Sequence, residues 1–95
     1  MNTFIFGIDG ASPDLVNKWV EEGHLPNLGK IQGQGISGKL KSTFPPLTGP
    51  AWSSFQTGVN PGKHSVYNWL DLKNSYQGQV INRNSIKTRT VWDLI

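Results

Sequence analysis

Hydrophobic and polar positions divide the chain into short, sharply punctuated segments. Residues 3–8 form a run of β-branched and aromatic side chains, Thr3, Phe4, Ile5, Phe6 and Ile8, broken only by Gly7. A run without alternation suits a strand buried on both faces, because no position is reserved for water. It ends at Asp9-Gly10, a turn pair. Ser12, Pro13 and Asp14 then read as a helix cap, a first helical residue and an acidic first turn. Leu15, Val16, Trp19 and Val20 fall at i, i+4 spacings that lay an apolar stripe along this helix, and Gly23 is placed to stop it. Pro26 starts a shorter helix with Leu28 and Ile31 turned inward, ended by Gly33 and Gly35. Residues 36–42 alternate, Ile36, Gly38 and Leu40 against Ser37, Lys39 and Lys41, as a strand with one wet face does. Strand, helix and strand in this order predict a βαβ-like unit, a parallel or mixed sheet and an α/β fold class.

Beyond residue 42 the punctuation tightens. Pro45-Pro46 forces an extended loop, since a residue before proline avoids the helical region. From Gly49 the spacing of Trp52, Phe55 and Gln56 predicts a short helix ending at Gly58, and Asn60-Pro61-Gly62 predicts a turn. Val66, Tyr67, Trp69 and Leu70 follow His64, then a polar loop over residues 73–78 and a short strand over 79–82. Residues 88–95 read as a helix with a Thr cap that runs for about a turn and a half, below the ~12–15 residues an isolated helix needs. Residues 1–95 are therefore expected to be the amino-terminal segment of a single α/β domain.

Composition narrows the class. The chain is 36% hydrophobic, 11% aromatic and 16% charged, which is globular rather than disordered. A domain of this length buries roughly 60–65% of its unfolded surface, a modest fraction. Without cysteine there is neither a disulfide framework nor a thiolate zinc site. The net charge of +3 is scattered, with Lys39 and Lys41 as one pair and Arg83, Lys87 and Arg89 as a looser group. Nucleic-acid binding needs denser basic charge on a recognisable module, so no nucleic-acid partner is expected. No run approaches the ~20 apolar residues of a membrane span. Residues 1–8 lack a basic, signal-like start, and a cytoplasmic location without a membrane partner is the expectation.

Two positions invite chemistry. Thr48 sits between Pro46 and Pro50, just ahead of the helix expected from Gly49. The first amides and positive dipole end of a helix face such a loop, where they bind phosphate or sulfate and stabilise charge developing on it. A threonine hydroxyl is a weak nucleophile at its own pKa, and a divalent metal lowers that pKa enough for attack. A simple helix cap is the competing role, favoured roughly three to one on residue type and position alone. Asp9 ends the first expected strand, and ligands of open α/β sheets gather outside the carboxyl ends of strands. A carboxylate there suits a cation, and a turn or cap residue is the even alternative. His24 follows a helix-ending glycine and reads as a surface loop residue. Lys63 is a candidate for holding an anionic substrate against the plainer role of a solvated lysine.

The order of these pieces resembles the type I phosphodiesterase/nucleotide pyrophosphatase family of the alkaline phosphatase superfamily. The resemblance rests on Gly7-Ile8-Asp9-Gly10, Leu25-Pro26-Asn27-Leu28, Pro45-Pro46-Leu47-Thr48, Pro50-Ala51-Trp52 and Thr57-Gly58 through His64. It implies the amino-terminal part of an alkaline-phosphatase-like three-layer α/β/α sandwich, and a two-metal hydrolase of phosphate esters, with zinc the usual metal and manganese an option. Asp9 then matches a metal ligand, and Thr48 a metal-bridging nucleophile that forms a phospho-threonine. Backbone N–H groups after Thr48, Gly49 first, orient the phosphate, with Lys63 a weaker substrate contact. His64 falls in a segment that resembles a structural turn rather than a metal ligand. A two-metal site needs about six or seven protein ligands, and Asp9 and Thr48 are the two in view. The 95 residues alone are accordingly expected to be inactive, completed by the rest of the domain or by self-association. A non-catalytic α/β interaction domain derived from the same fold, with an exposed patch around Trp52, Tyr67 and Trp69, is the alternative.

Overall fold

Proline starts and glycine stops shape the helices. In the computed structural model, which describes residues 2–71 and 78–95, the chain forms two units, Met1–Leu40 and Lys41–Ile95. The first holds α1 (Pro13–Glu21) and α2 (Pro26–Gln34), each with proline in its opening turn. Gly23 adopts φ +79°, the left-handed conformation that a glycine reaches without a Cβ clash. His24 N–H can therefore turn back to the Trp19 carbonyl at 2.9 Å and close α1. The two helices pack closely at Gly29, where an added Cβ would stand 2.9 Å from Val20 Cγ1.

In the second unit, α3 spans Thr48–Thr57 and ends at Gly58, again left-handed at φ +68°. The four-residue α4 (Pro61–His64) follows and packs on α3. Leu70–Asp71 (β1) pairs antiparallel with Gln79–Val80 (β2) in the register Leu70↔Val80 and Asp71↔Gln79. The Ile81 N–H bond to the Trp69 carbonyl, 2.9 Å, carries the pairing one step outward. Two single 3₁₀ turns, Arg83–Ser85 and Val91–Asp93, complete the unit. Its centre is small: Val66, 1% exposed, is the buried hydrophobic side chain of the described residues, accompanied by Pro50, Ser53, His64 and Thr90.

The helices expected over residues 12–23, 26–35 and 49–58 are present, and the chain is mixed α/β. The strands are where expectation and structure part. Residues 3–8 and 36–42 have no regular secondary structure and join no ladder, and the described sheet is antiparallel rather than parallel. A strand needs a neighbour to take its backbone hydrogen bonds, and among the described residues neither segment has one. Their side chains stay in water accordingly, Phe4 at 87% and Leu40 at 91% exposure. The helix expected over 88–95 is instead the single turn Val91–Asp93, too short to propagate. Most of the polar loop expected over 73–78 lies outside the described residues.

Candidate functional site

The loop ahead of α3 is built by prolines. Phe44–Pro45 is a cis peptide, and the Leu47 N–H returns to the Pro45 carbonyl at 2.9 Å. Thr43 Oγ1 donates to the same carbonyl at 3.0 Å. Leu47 leaves this turn in extended backbone and occupies the cap position of α3, with Thr48 as the first helical residue. Thr48 is thus not the side-chain cap that its residue type suggests. It stands half-buried on the opening turn, next to buried Gly49 and Pro50.

The amides at that end are few. The first N–H groups of any helix have no acceptor within it. Here they belong to Thr48, which has an interaction of its own, and Gly49, since Pro50 has none and the Ala51 N–H already bonds the Leu47 carbonyl at 2.9 Å. Both point along the positive end of the helix dipole. Beside them lies a cavity of about 180 Å³, lined by Thr48, Gly49, Trp52, Trp69, Ile81 and Asn82 among others. Trp52 is braced edge-on by Phe55, ring centroids 5.7 Å apart. An anion held by the amides of α3 would have an apolar wall within reach. Nothing in the spacing of Trp69, Ile81 and Asn82 foretold this wall, because it forms across β1 and β2.

The other expected site residues are more dispersed. Asp9 belongs to the first unit, exposed, ahead of Gly10 at φ +72° and a tight turn in which the Ser12 N–H meets the Gly10 carbonyl at 2.9 Å. Lys63 is exposed on α4 and is not among the residues lining the cavity at Thr48. His24 is also exposed, 3.5 Å from Glu22. Among the described residues, no group of three His, Asp or Glu side chains gathers as a metal would require.

His64 is the unexpected member. It is fully buried, with Nε2 2.9 Å from Ser54 Oγ on α3 and Nδ1 accepting the Val66 N–H at 3.1 Å. A serine and histidine this close invite the reading of a nucleophile with its base. The tautomer opposes it. An amide N–H only donates, so Nδ1 carries the lone pair, the neutral ring's proton sits on Nε2, and Ser54 Oγ accepts it. A ring nitrogen that already carries a proton, and donates it in a hydrogen bond to the serine oxygen, cannot take the serine's proton. Burial pushes the ring below its ordinary pKa, and a backbone hydrogen bond opposes this more weakly. Ser54 lay beyond sequence reasoning, because it is ten residues from His64 and the two share no motif.

The motif order and the α3 geometry converge on one comparison. The family model for type I phosphodiesterase / nucleotide pyrophosphatase matches residues 3–95. The chain belongs to that family. Among curated proteins and solved structures, none matches it. Phosphodiesterase membership covers both units, from the segment holding Asp9 to the turn at Val91–Asp93.

Proposed function

We propose that this chain is the amino-terminal segment of a metal-dependent phosphoesterase domain, of the three-layer alkaline-phosphatase-like type, with Thr48 as its nucleophile. The observation that carries the reading is the start of α3 at Thr48 in a chain of phosphodiesterase family. That start sets a hydroxyl beside amides suited to phosphate. In the reaction, Thr48 Oγ forms a bond to phosphorus as the bond to the leaving-group oxygen breaks, and the hydroxyl proton passes to solvent. Water then cleaves the phospho-threonine and restores the hydroxyl. The Gly49 amide steadies the charge on the phosphoryl oxygens throughout. Lys63 is at most an outer contact for an anionic substrate.

A bound metal would supply Lewis-acid charge neutralisation, with zinc the first choice and manganese the second. Asp9 is proposed as one ligand and Thr48 as another. The described residues do not themselves make up a ligand set. The unpaired apolar segments 3–8 and 36–42 support the view that more of a sheet belongs beside them.

The test uses the protein expressed from its complete reading frame, supplied with zinc or manganese and an aryl phosphodiester. Thr48→Ala should lower kcat by at least about a thousandfold, as loss of a covalent nucleophile does. Undiminished turnover would remove Thr48 from the mechanism. The 95 residues alone should show no turnover under the same conditions.

A further inference from the structure

Four parts of the second unit meet at His64. Its ring reaches Ser54 on α3 at 2.9 Å, and its own backbone ends α4. Ser65 takes up φ +68°, unusual for a residue with a Cβ, and this swings the chain so that the Val66 N–H faces Nδ1. The His64 carbonyl accepts the Lys87 N–H at 3.1 Å, and the Lys63 carbonyl accepts from Thr88 Oγ1 at 3.4 Å. We propose that His64 is a pH-sensitive latch: neutral, with its proton on Nε2, it fastens α4 to α3 and to residues 87–88, and a second proton, on Nδ1, opens it.

The chemistry of the opening is local. A proton on Nδ1 would face the Val66 N–H, donor against donor, and the bond that holds Ser65 in its left-handed conformation would be lost. The imidazolium charge would also be buried where water does not reach it. The charged groups on the surrounding elements offer little relief. No residue of α3 is ionisable, Lys63 on α4 and Lys87 and Arg89 beyond it are cationic and exposed, and Asp93 is engaged by Arg83. Tyr67, just after Val66, and Asp71 on β1 each have interactions of their own. Because burial holds the folded ring below its ordinary value of 6.5, the unfolded chain takes the proton first. The latch therefore contributes fully above that pH, and its contribution is lost as the pH falls below it toward the lower folded value. The inference is independent of any catalytic role for Thr48.

The experiment uses the 95-residue chain carrying His24→Gln, which leaves His64 as the sole histidine of those residues. Urea unfolding is followed at about pH 7.5, 6.5 and 5.5, a window above the carboxylates. The unfolding constant should rise as pH falls, by up to about tenfold per pH unit, the limit for one proton. Adding His64→Gln keeps an N–H donor for Ser54 and removes the titration, so the series should become flat. Equal pH slopes with and without His64 overturn the latch. Should His64→Gln fail to fold, long-range ¹H–¹⁵N correlations on the His64 ring decide: an Nε2–H tautomer that titrates below 6.5 upholds it, and an Nδ1–H tautomer or a higher midpoint overturns it.

Discussion

At the scale of single residues, the carboxyl-terminal turn hangs on one carboxylate. Asp93 Oδ2 accepts the Thr90 N–H at 2.6 Å and Thr90 Oγ1 at 2.9 Å, while Arg83 Nη2 reaches both carboxylate oxygens at 2.7 and 2.8 Å. The backbone bond from Thr90, then its hydroxyl, then Arg83 hold Asp93 below its ordinary value of 3.8. The unfolded chain thus binds this proton more readily than the folded one. Stability from Asp93 is complete above 3.8 and drains as the pH falls toward the lower folded value. Asp93→Asn keeps an acceptor for Thr90 but cannot titrate. Its urea midpoint should therefore fall less than that of the wild type between about pH 5 and about pH 3; parallel curves would show that Asp93 carries no such linkage. The junction at Thr48 was legible from its neighbours, since prolines on both sides announce a stiff loop meeting a helix. The Ser54–His64 bond was not, because nothing local in the chain encodes a partner ten residues away.

At the scale of elements, what could be read locally was read well. Pro13, Pro26, Gly23 and Gly58 act within a few bonds of themselves: α1 begins and ends, α2 begins and α3 ends where these residues place them. Residues 3–8 and 36–42 have the composition of strands, but strand formation is decided by a neighbour elsewhere in the chain. β1 and β2, two residues each, exist because they found one another. Gly29 shows a further element-level constraint, since α1 and α2 approach at a glycine with no room for a methyl beside Val20 Cγ1. Gly29→Ala should gain roughly 1 kcal/mol of helix propensity and lose about 1–3 kcal/mol to overpacking against a stiff β-branched partner. The net expectation is destabilisation by about 1 kcal/mol. Val20→Ala in the same chain should make Gly29→Ala neutral or stabilising, and a double-mutant cycle in urea measures this coupling. Additive effects of the two changes would mean that the helices do not meet at this point.

At the scale of the whole molecule, the decisive fact is how much apolar surface the described residues leave in water. Phe4, Phe6, Ile36 and Leu40 are 87%, 75%, 105% and 91% exposed, and Phe4 and Phe6 stack on each other. Full burial of one such side chain stabilises by about 1.5–3 kcal/mol, so four of them forgo more than a small domain's usual margin of about 5 kcal/mol. Extended segments with apolar side chains and unsatisfied strand edges are also templates for further pairing. The two effects act in the same direction, because a second strand laid on residues 3–8 would take up both the hydrogen bonds and the side chains. The isolated 95-residue chain is therefore expected to bind a hydrophobic dye and to self-associate at micromolar concentration. Light scattering after size exclusion should give a mass above the 10.5 kDa monomer. Phe4→Lys with Phe6→Lys should return it to the monomer mass while helical circular dichroism holds, since both rings are largely in water already. A wild-type chain that stays monomeric and dye-silent would mean that residues 3–8 are content in water, and that the strand character of their side chains has no structural outlet.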